Sequence, residues 1–143
     1  MKDIFIRWFT AFNAFLIRIS GGRVGSRLGT QTILLLHTIG RRSGRPRVIP
    51  VAYFLHKGNY LLVGSNWGRD RHADWYLNLL RQPRAIIQVN GADIAVNAHD
   101  ARGDAHAPLW KFVTERHPAY LNYQKMTARI IPIVVLKPRS FQE

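Results

Sequence analysis

LLLHTIGRRSGRPRVIP, residues 34–50, carries the reading of the fold. An apolar strand over 33–36 runs into a loop that gathers Gly40, Arg41, Arg42, Ser43, Gly44, Arg45, Pro46 and Arg47. A second apolar strand, 48–55, follows at once. So short a loop joins antiparallel strands, because a parallel pair needs a crossover of a dozen or more residues. The tip also suits an anion. Glycines let the backbone turn and approach a ligand closely. The Ser43 hydroxyl and free N–H groups donate hydrogen bonds, and the arginines supply planar charged forks for phosphate or carboxylate. The alternative reading is a hairpin whose charges only blunt a sheet edge.

Outward from this loop the same logic repeats. Residues 48–55 and 60–65 form a hairpin around His56-Lys57-Gly58-Asn59, and 85–89 and 92–98 flank Asn90-Gly91, a strong hairpin signal. Residues 72–81 and 102–117 read as helices, 118–126 as irregular or a short helix, and 130–136 as a closing strand. Six strands joined mainly by hairpins predict a mainly β fold with flanking helices, a small barrel whose closure removes exposed edges. Residues 3–19 carry Trp8, Phe9, Phe12, Phe15 and Leu16 at helical spacing, interrupted by Arg7 and Arg18. That helix either covers the core or rests on a membrane surface. It is too short and too charged to span one. The expected organisation is an amino-terminal helix and connector, 1–28, then a cofactor-binding split-barrel domain, 29–143.

The chain has 143 residues and a formal charge of +13, with no cysteine. Disulfides, thiolate metal sites and cysteine nucleophiles are excluded. The histidines are scattered, and no metal site is assigned. The charge implies an acidic partner. Nucleic acid fits poorly, because the densest basic cluster sits at one loop rather than along an aromatic-lined face. A GxSxG elbow, a P-loop and a GxGxxG fingerprint are all missing. An anion-binding loop on a small barrel suits a protein that holds a phosphorylated cofactor and lets it do the chemistry.

Four segments then become recognisable together: LLLHTIGRRSGRPRVIPVAYF, LLVGSNWGRDRHADWYLNLLRQP, HPAYLNYQKMTARIIP and IPIVVLKP. In this order and spacing the sequence, over about residues 32–138, resembles the deazaflavin-dependent nitroreductase family. These are split-barrel oxidoreductases that use reduced coenzyme F-420. The resemblance implies that Arg41, Arg42, Ser43, Gly44 and Arg47 bind the coenzyme's phosphate and acidic tail. It places Pro50 and Val51 beside the deazaflavin ring, and Ser65, Asn66, Trp67 and Gly68 at the ring's other edge. Trp75 and Asn78 match groove-lining positions, although Trp75 equally suits a core. Tyr120 and Tyr123 match tyrosines that wall the acceptor pocket. With Ser65 they are the catalytic candidates, since a tyrosine hydroxyl is protonated at neutral pH and can donate. Ala52 and His117 stand at substrate-contacting positions where studied relatives have tyrosines. Trp67 is bulkier than the residue common there, and relatives often have lysine at Arg42.

The implied activity is hydride transfer from reduced coenzyme F-420 to an electron-poor small-molecule acceptor: a quinone, an enone or a nitroaromatic. FMN is the alternative cofactor, and a non-catalytic cofactor or fatty-acyl carrier the alternative role. A cytoplasmic protein is expected, with contact at the inner membrane face following only from the second reading of the amino-terminal helix, and split barrels of this type often pair as homodimers. Arg69, Arg71, Arg81 and Arg84 are expected to form a solvated face.

Overall fold

The computed structural model describes residues 27–28 and 31–139; the helix expected over 3–19 lies outside them. The chain runs β1 (Arg27–Leu28), β2 (Gln31–Ile39), β3 (Pro46–Ala52), β4 (Phe54–His56), β5 (Asn59–Val63), α1 (Asp74–Arg81), β6 (Arg84–Val89), β7 (Ala92–Ala101), α2 (His106–Arg116), α3 (Ala119–Lys125) and β8 (Ile133–Pro138). Every strand pair is antiparallel. From β2 the ladder passes through β6, β7, β8 and β5 to β4, while β3 pairs with the other edge of β2. Only Tyr53 separates β3 from β4, and its N–H donates to Thr32 O at 3.0 Å. The curled sheet therefore turns back on itself through one bent strand, which is the split barrel expected. Counting β3 and β4 as that single strand gives six, with the short β1 added along β2.

Strand alternation builds the core in two layers. On β5 and β8, Leu62, Val134 and Leu136 point to one side and join Leu34, Leu36, Ile87 and Val96 in the main core. Their neighbours Leu61, Val63 and Ile133 point the other way and pack with Val113 of α2, Tyr120 of α3 and Ile131. Both faces of these strands are thus covered, which explains apolar runs in place of apolar–polar alternation. Two tight turns set the register. Lys57 and Gly58, and Asn90 and Gly91, all have positive φ, the conformation that a two-residue hairpin loop of this hand requires.

Several boundaries shift from the sequence expectation, each for a local reason. The strand expected over 48–55 breaks at Tyr53, where the chain changes partner from β2 to β5. The helix expected from His72 begins at Asp74, because Ala73 is extended. Ile130 and Ile131 precede the last strand, since the Ile131 N–H donates to Gln124 Oε1 at 2.9 Å and not to a ladder.

Candidate functional site

The β2–β3 tip is shaped by its own hydrogen bonds. Gly40 N–H donates to Arg45 O, and Gly44 N–H to Gly40 O, both at 2.8 Å. Gly44 takes a left-handed φ of 69°. A Cβ on Gly40 would lie 2.7 Å from Ser43 Oγ, so the bare backbone lets the tip fold over itself. Ser43 Oγ accepts from the Arg45 N–H at 3.2 Å and from Arg47 Nη2 at 3.3 Å.

Helix α1 buttresses this tip. The Asn78 side chain is buried, and its Oδ1 accepts from the Arg41 N–H at 3.1 Å and Arg41 Nη1 at 3.0 Å. Arg41 Nη2 and Arg71 Nη2 each lie 3.2 Å from Asp74 Oδ1. The hydrogen bond from Arg41 is the main reason that the Asp74 carboxyl is held below its usual range. Arg42 has no carboxylate partner among the described residues, and Arg47 reaches only Ser43. Arg45 has no carboxylate partner among them either, but of these three it is Arg42 and Arg47 that line the space between tip and helix.

Between tip and helix lies a cavity of about 430 Å³ lined by residues that include Arg41, Arg42, Ser43, Arg47, Trp75 and Asn78. Six of the predicted cofactor contacts thus converge on one space. Trp75 also belongs to the main core. Thr38, Val48, Ile49 and Arg71 line the cavity too, and sequence reasoning assigned none of them. Arg71 borders the cavity while its side chain stays exposed, as the solvated-face reading expects. The Thr38 Oγ1 is buried with no hydrogen-bond partner among the described residues, an unmet polar group in the wall of a cationic cavity. Phosphate, cationic forks and an unmet hydroxyl are chemically matched. Gly44 sits at the tip, outside the lining. Pro50, Val51 and Ala52 continue along β3 beyond it, with Val51 packed on the main core.

The other predicted residues gather at a second place. Ser65 leads into a 3-10 turn over Asn66–Gly68. Asn66, Trp67 and Gly68 all have positive φ, at 46°, 61° and 78°. For a tryptophan this is strained backbone, a state that costs on the order of 1–3 kcal/mol and persists only where neighbours enforce it. Trp67 is 68% exposed and meets the Tyr123 ring edge-on at 6.2 Å. Tyr123 in turn lies 6.2 Å from Tyr120, whose ring has His117 at 5.0 Å. Tyr120 is buried and Tyr123 half-buried. Asn66 Nδ2 donates to Arg71 O at 2.8 Å, which ties this aromatic wall to the cavity lining.

A split barrel with a cationic cleft at a strand hairpin defines a class: oxidoreductases that hold a phosphorylated, flavin-like cofactor and supply binding and orientation. Comparison with known proteins narrows the class. Residues 8–138 match the family model described as F-420H(2)-dependent quinone reductase, and the chain belongs to that family. It is 37% identical over 128 residues to an F-420H(2)-dependent quinone reductase of Mycobacterium tuberculosis (strain H37Rv), covering 87% of this chain and 86% of the relative. Among solved structures it is similar to an F-420-H2 dependent reductase, FDR-A, with a TM-score of 0.67 and 30% identity over 73% of this chain and 93% of the other. It is also similar to a chain described as a domain-swapped dimer, with a TM-score of 0.69 and 26% identity over 92% and 98%.

Proposed function

We propose that this protein binds reduced coenzyme F-420 at the β2–β3 tip and presents it to a quinone-type acceptor. The observation that carries the reading is the convergence of Arg42, Arg47, Trp75 and Asn78 on one cavity of about 430 Å³. The bound coenzyme supplies the hydride. The protein's own residues bind, orient and protonate. Arg42 and Arg47 offer forks to the phosphate and tail carboxylates. Asn78 and Asp74 fix Arg41 and so hold the tip against α1. The 65–68 turn spends the N–H groups of Gly68 and Arg69 on its own bonds. Those of Asn66 and Trp67 are left to steady charge on the ring or acceptor. Tyr123 and Tyr120 line the acceptor side, where a phenol donates the proton that completes reduction. Rate is gained chiefly from proximity and orientation.

The acceptor class is a quinone, with enones and nitroaromatics as chemical analogues. His117 and Ala52 in place of tyrosines give a wall with fewer hydroxyls, so nitroaromatic reduction does not carry over from studied relatives. The likeness to a domain-swapped dimer supports a homodimer, to be read by light scattering. Contact of residues 1–22 with an anionic membrane is tested by vesicle flotation with and without them. No helix among the described residues is long and apolar enough to cross a membrane.

The deciding experiment is a fluorescence titration with oxidised coenzyme F-420, with FMN in parallel. Tight binding of the deazaflavin supports the reading. Preference for FMN moves the protein to a flavin-dependent class, and binding of neither overturns the cofactor assignment.

A further inference from the structure

One side chain outside the predicted site holds the strained turn in place. Arg129 lies in the segment that joins α3 to β8. Its Nε donates to Arg69 O at 2.8 Å, its Nη2 to Ser65 O at 2.8 Å and its Nη1 to Gly64 O at 3.2 Å. Nη1 also lies 3.2 Å from His72 Nδ1. Four contacts from one guanidinium therefore bracket the turn from Gly64 to His72. Two further bonds brace the same junction. Thr127 Oγ1 donates to Asp70 Oδ1 at 2.7 Å, and Gln124 Nε2 donates to Arg129 O at 2.7 Å. On one side of the turn stands the cavity lining, reached through Asn66 and Arg71. On the other stands the tyrosine wall, reached through Trp67 and Tyr123.

We infer that Arg129 is a positioning residue for hydride transfer: it clamps the 64–72 loop, and with it the left-handed turn at 66–68, and so sets the cofactor cleft against the acceptor wall. This rests on the function proposed above. The geometry explains why arginine is needed. Only a planar fork with five donors reaches acceptors that diverge around one point, whereas a lysine ammonium presents its three donors from a single atom. Left-handed Asn66 and Trp67 persist because the surroundings over-determine them. Without the clamp the turn is free to relax to an ordinary conformation, carrying Trp67 away from Tyr123. Orientation-dependent rate is steeply sensitive to such displacement.

The test uses the full chain and the Arg129→Lys variant, which keeps the charge and loses the fork. In the ligand-free protein, hydrogen exchange across residues 64–72 should quicken at least tenfold, with exchange in the 37–48 hairpin unchanged. With reduced coenzyme F-420 and menadione, kcat should fall at least tenfold, while the Kd for oxidised coenzyme F-420 changes less than threefold. Unchanged loop exchange would overturn the clamp. Faster exchange with unaltered kcat would overturn its link to catalysis. Exchange quickened throughout the chain, with Kd and kcat lost together, would make Arg129 a general stabiliser and overturn the positioning role. Should Arg129→Lys fail to fold, Thr127→Val removes the brace to Asp70 and the acceptor of the Arg129 N–H while leaving the guanidinium in place, and must show the same pattern in milder form. If the wild type binds no deazaflavin, the proposed function fails, whereas the exchange result still decides the clamp.

Discussion

At the scale of single residues, charge and its neutralisation decide which arginines matter. Arg41 is spoken for by Asn78 and Asp74, whereas among the described residues Arg42 has no carboxylate partner and Arg47 donates to Ser43. Charge-assisted hydrogen bonds contribute roughly 1.5–3 kcal/mol each. Replacing both Arg42 and Arg47 by alanine should weaken coenzyme F-420 binding by about 100-fold or more, read by the fluorescence titration, with the melting temperature held. Asn78→Ala behaves differently. It leaves the half-buried Arg41 N–H without its acceptor, so unfolding free energy should fall by about 1–3 kcal/mol in urea titration. Arg42, Ser43 and Arg47 were legible in the sequence because they crowd one loop whose composition already advertised an anion. Arg129 was not, although it stands inside one of the recognisable segments. Its partners are carbonyls some sixty residues earlier in the chain, up to 65 positions away, and any residue supplies a carbonyl. Composition carries no trace of such a contact.

At the scale of elements, the turns that follow from local chemistry were readable and those imposed by tertiary contact were not. Asn90-Gly91 announces a hairpin because both positions accept positive φ. The Asn66–Gly68 turn has no such signature at Trp67, and its conformation is enforced from across the fold. Two glycines of like φ separate these cases. Gly91 has φ 83° with open space around a would-be Cβ, whereas at Gly68 (φ 78°) that carbon would lie 2.9 Å from Met126 Sδ and 3.0 Å from Tyr123 O. Alanine at Gly91 should cost about 1 kcal/mol, for backbone strain alone. At Gly68 the same change adds a clash with backbone of α3, so the loss should be larger, about 2–4 kcal/mol. Thermal unfolding of the two variants side by side checks the ordering, and equal shifts would mean that α3 yields easily. The helix start at Asp74 lies just beyond the 64–72 loop. The His72 ring lies tilted against Tyr76 at 4.8 Å and faces Arg129, and Ala73 is extended where periodicity alone would continue the helix.

At the scale of the whole molecule, the barrel topology was legible because hairpins dictate antiparallel neighbours, and closure then follows from the number of strands. What periodicity could not convey is that β2 is buried on both faces, with His37 wholly enclosed. Burial pushes the His37 pKa from its ordinary 6.5 down to about 3. The sign of the resulting pH dependence follows directly. Below pH 6.5 the unfolded chain takes up a proton at this imidazole that the folded chain refuses, so stability falls as pH drops. The slope is about 1.4 kcal/mol per pH unit from pH 6.5 toward pH 3, and above 6.5 this group contributes none. His72 is shifted the same way, by burial first and by Arg129 second, and adds to the loss. Asp93, raised by burial, works in the opposite direction, and Asp74, lowered by Arg41, adds loss only as pH falls through the carboxylate range. Between pH 7 and pH 5 the histidines should therefore dominate. Urea unfolding at those two values should show a drop of about 2 kcal/mol in the wild type. His37→Gln, which cannot take up the proton, should flatten most of that drop. An equal drop in both proteins would place the acid sensitivity in His72 and the surface carboxylates, and would mean that the enclosed strand tolerates a charged imidazole.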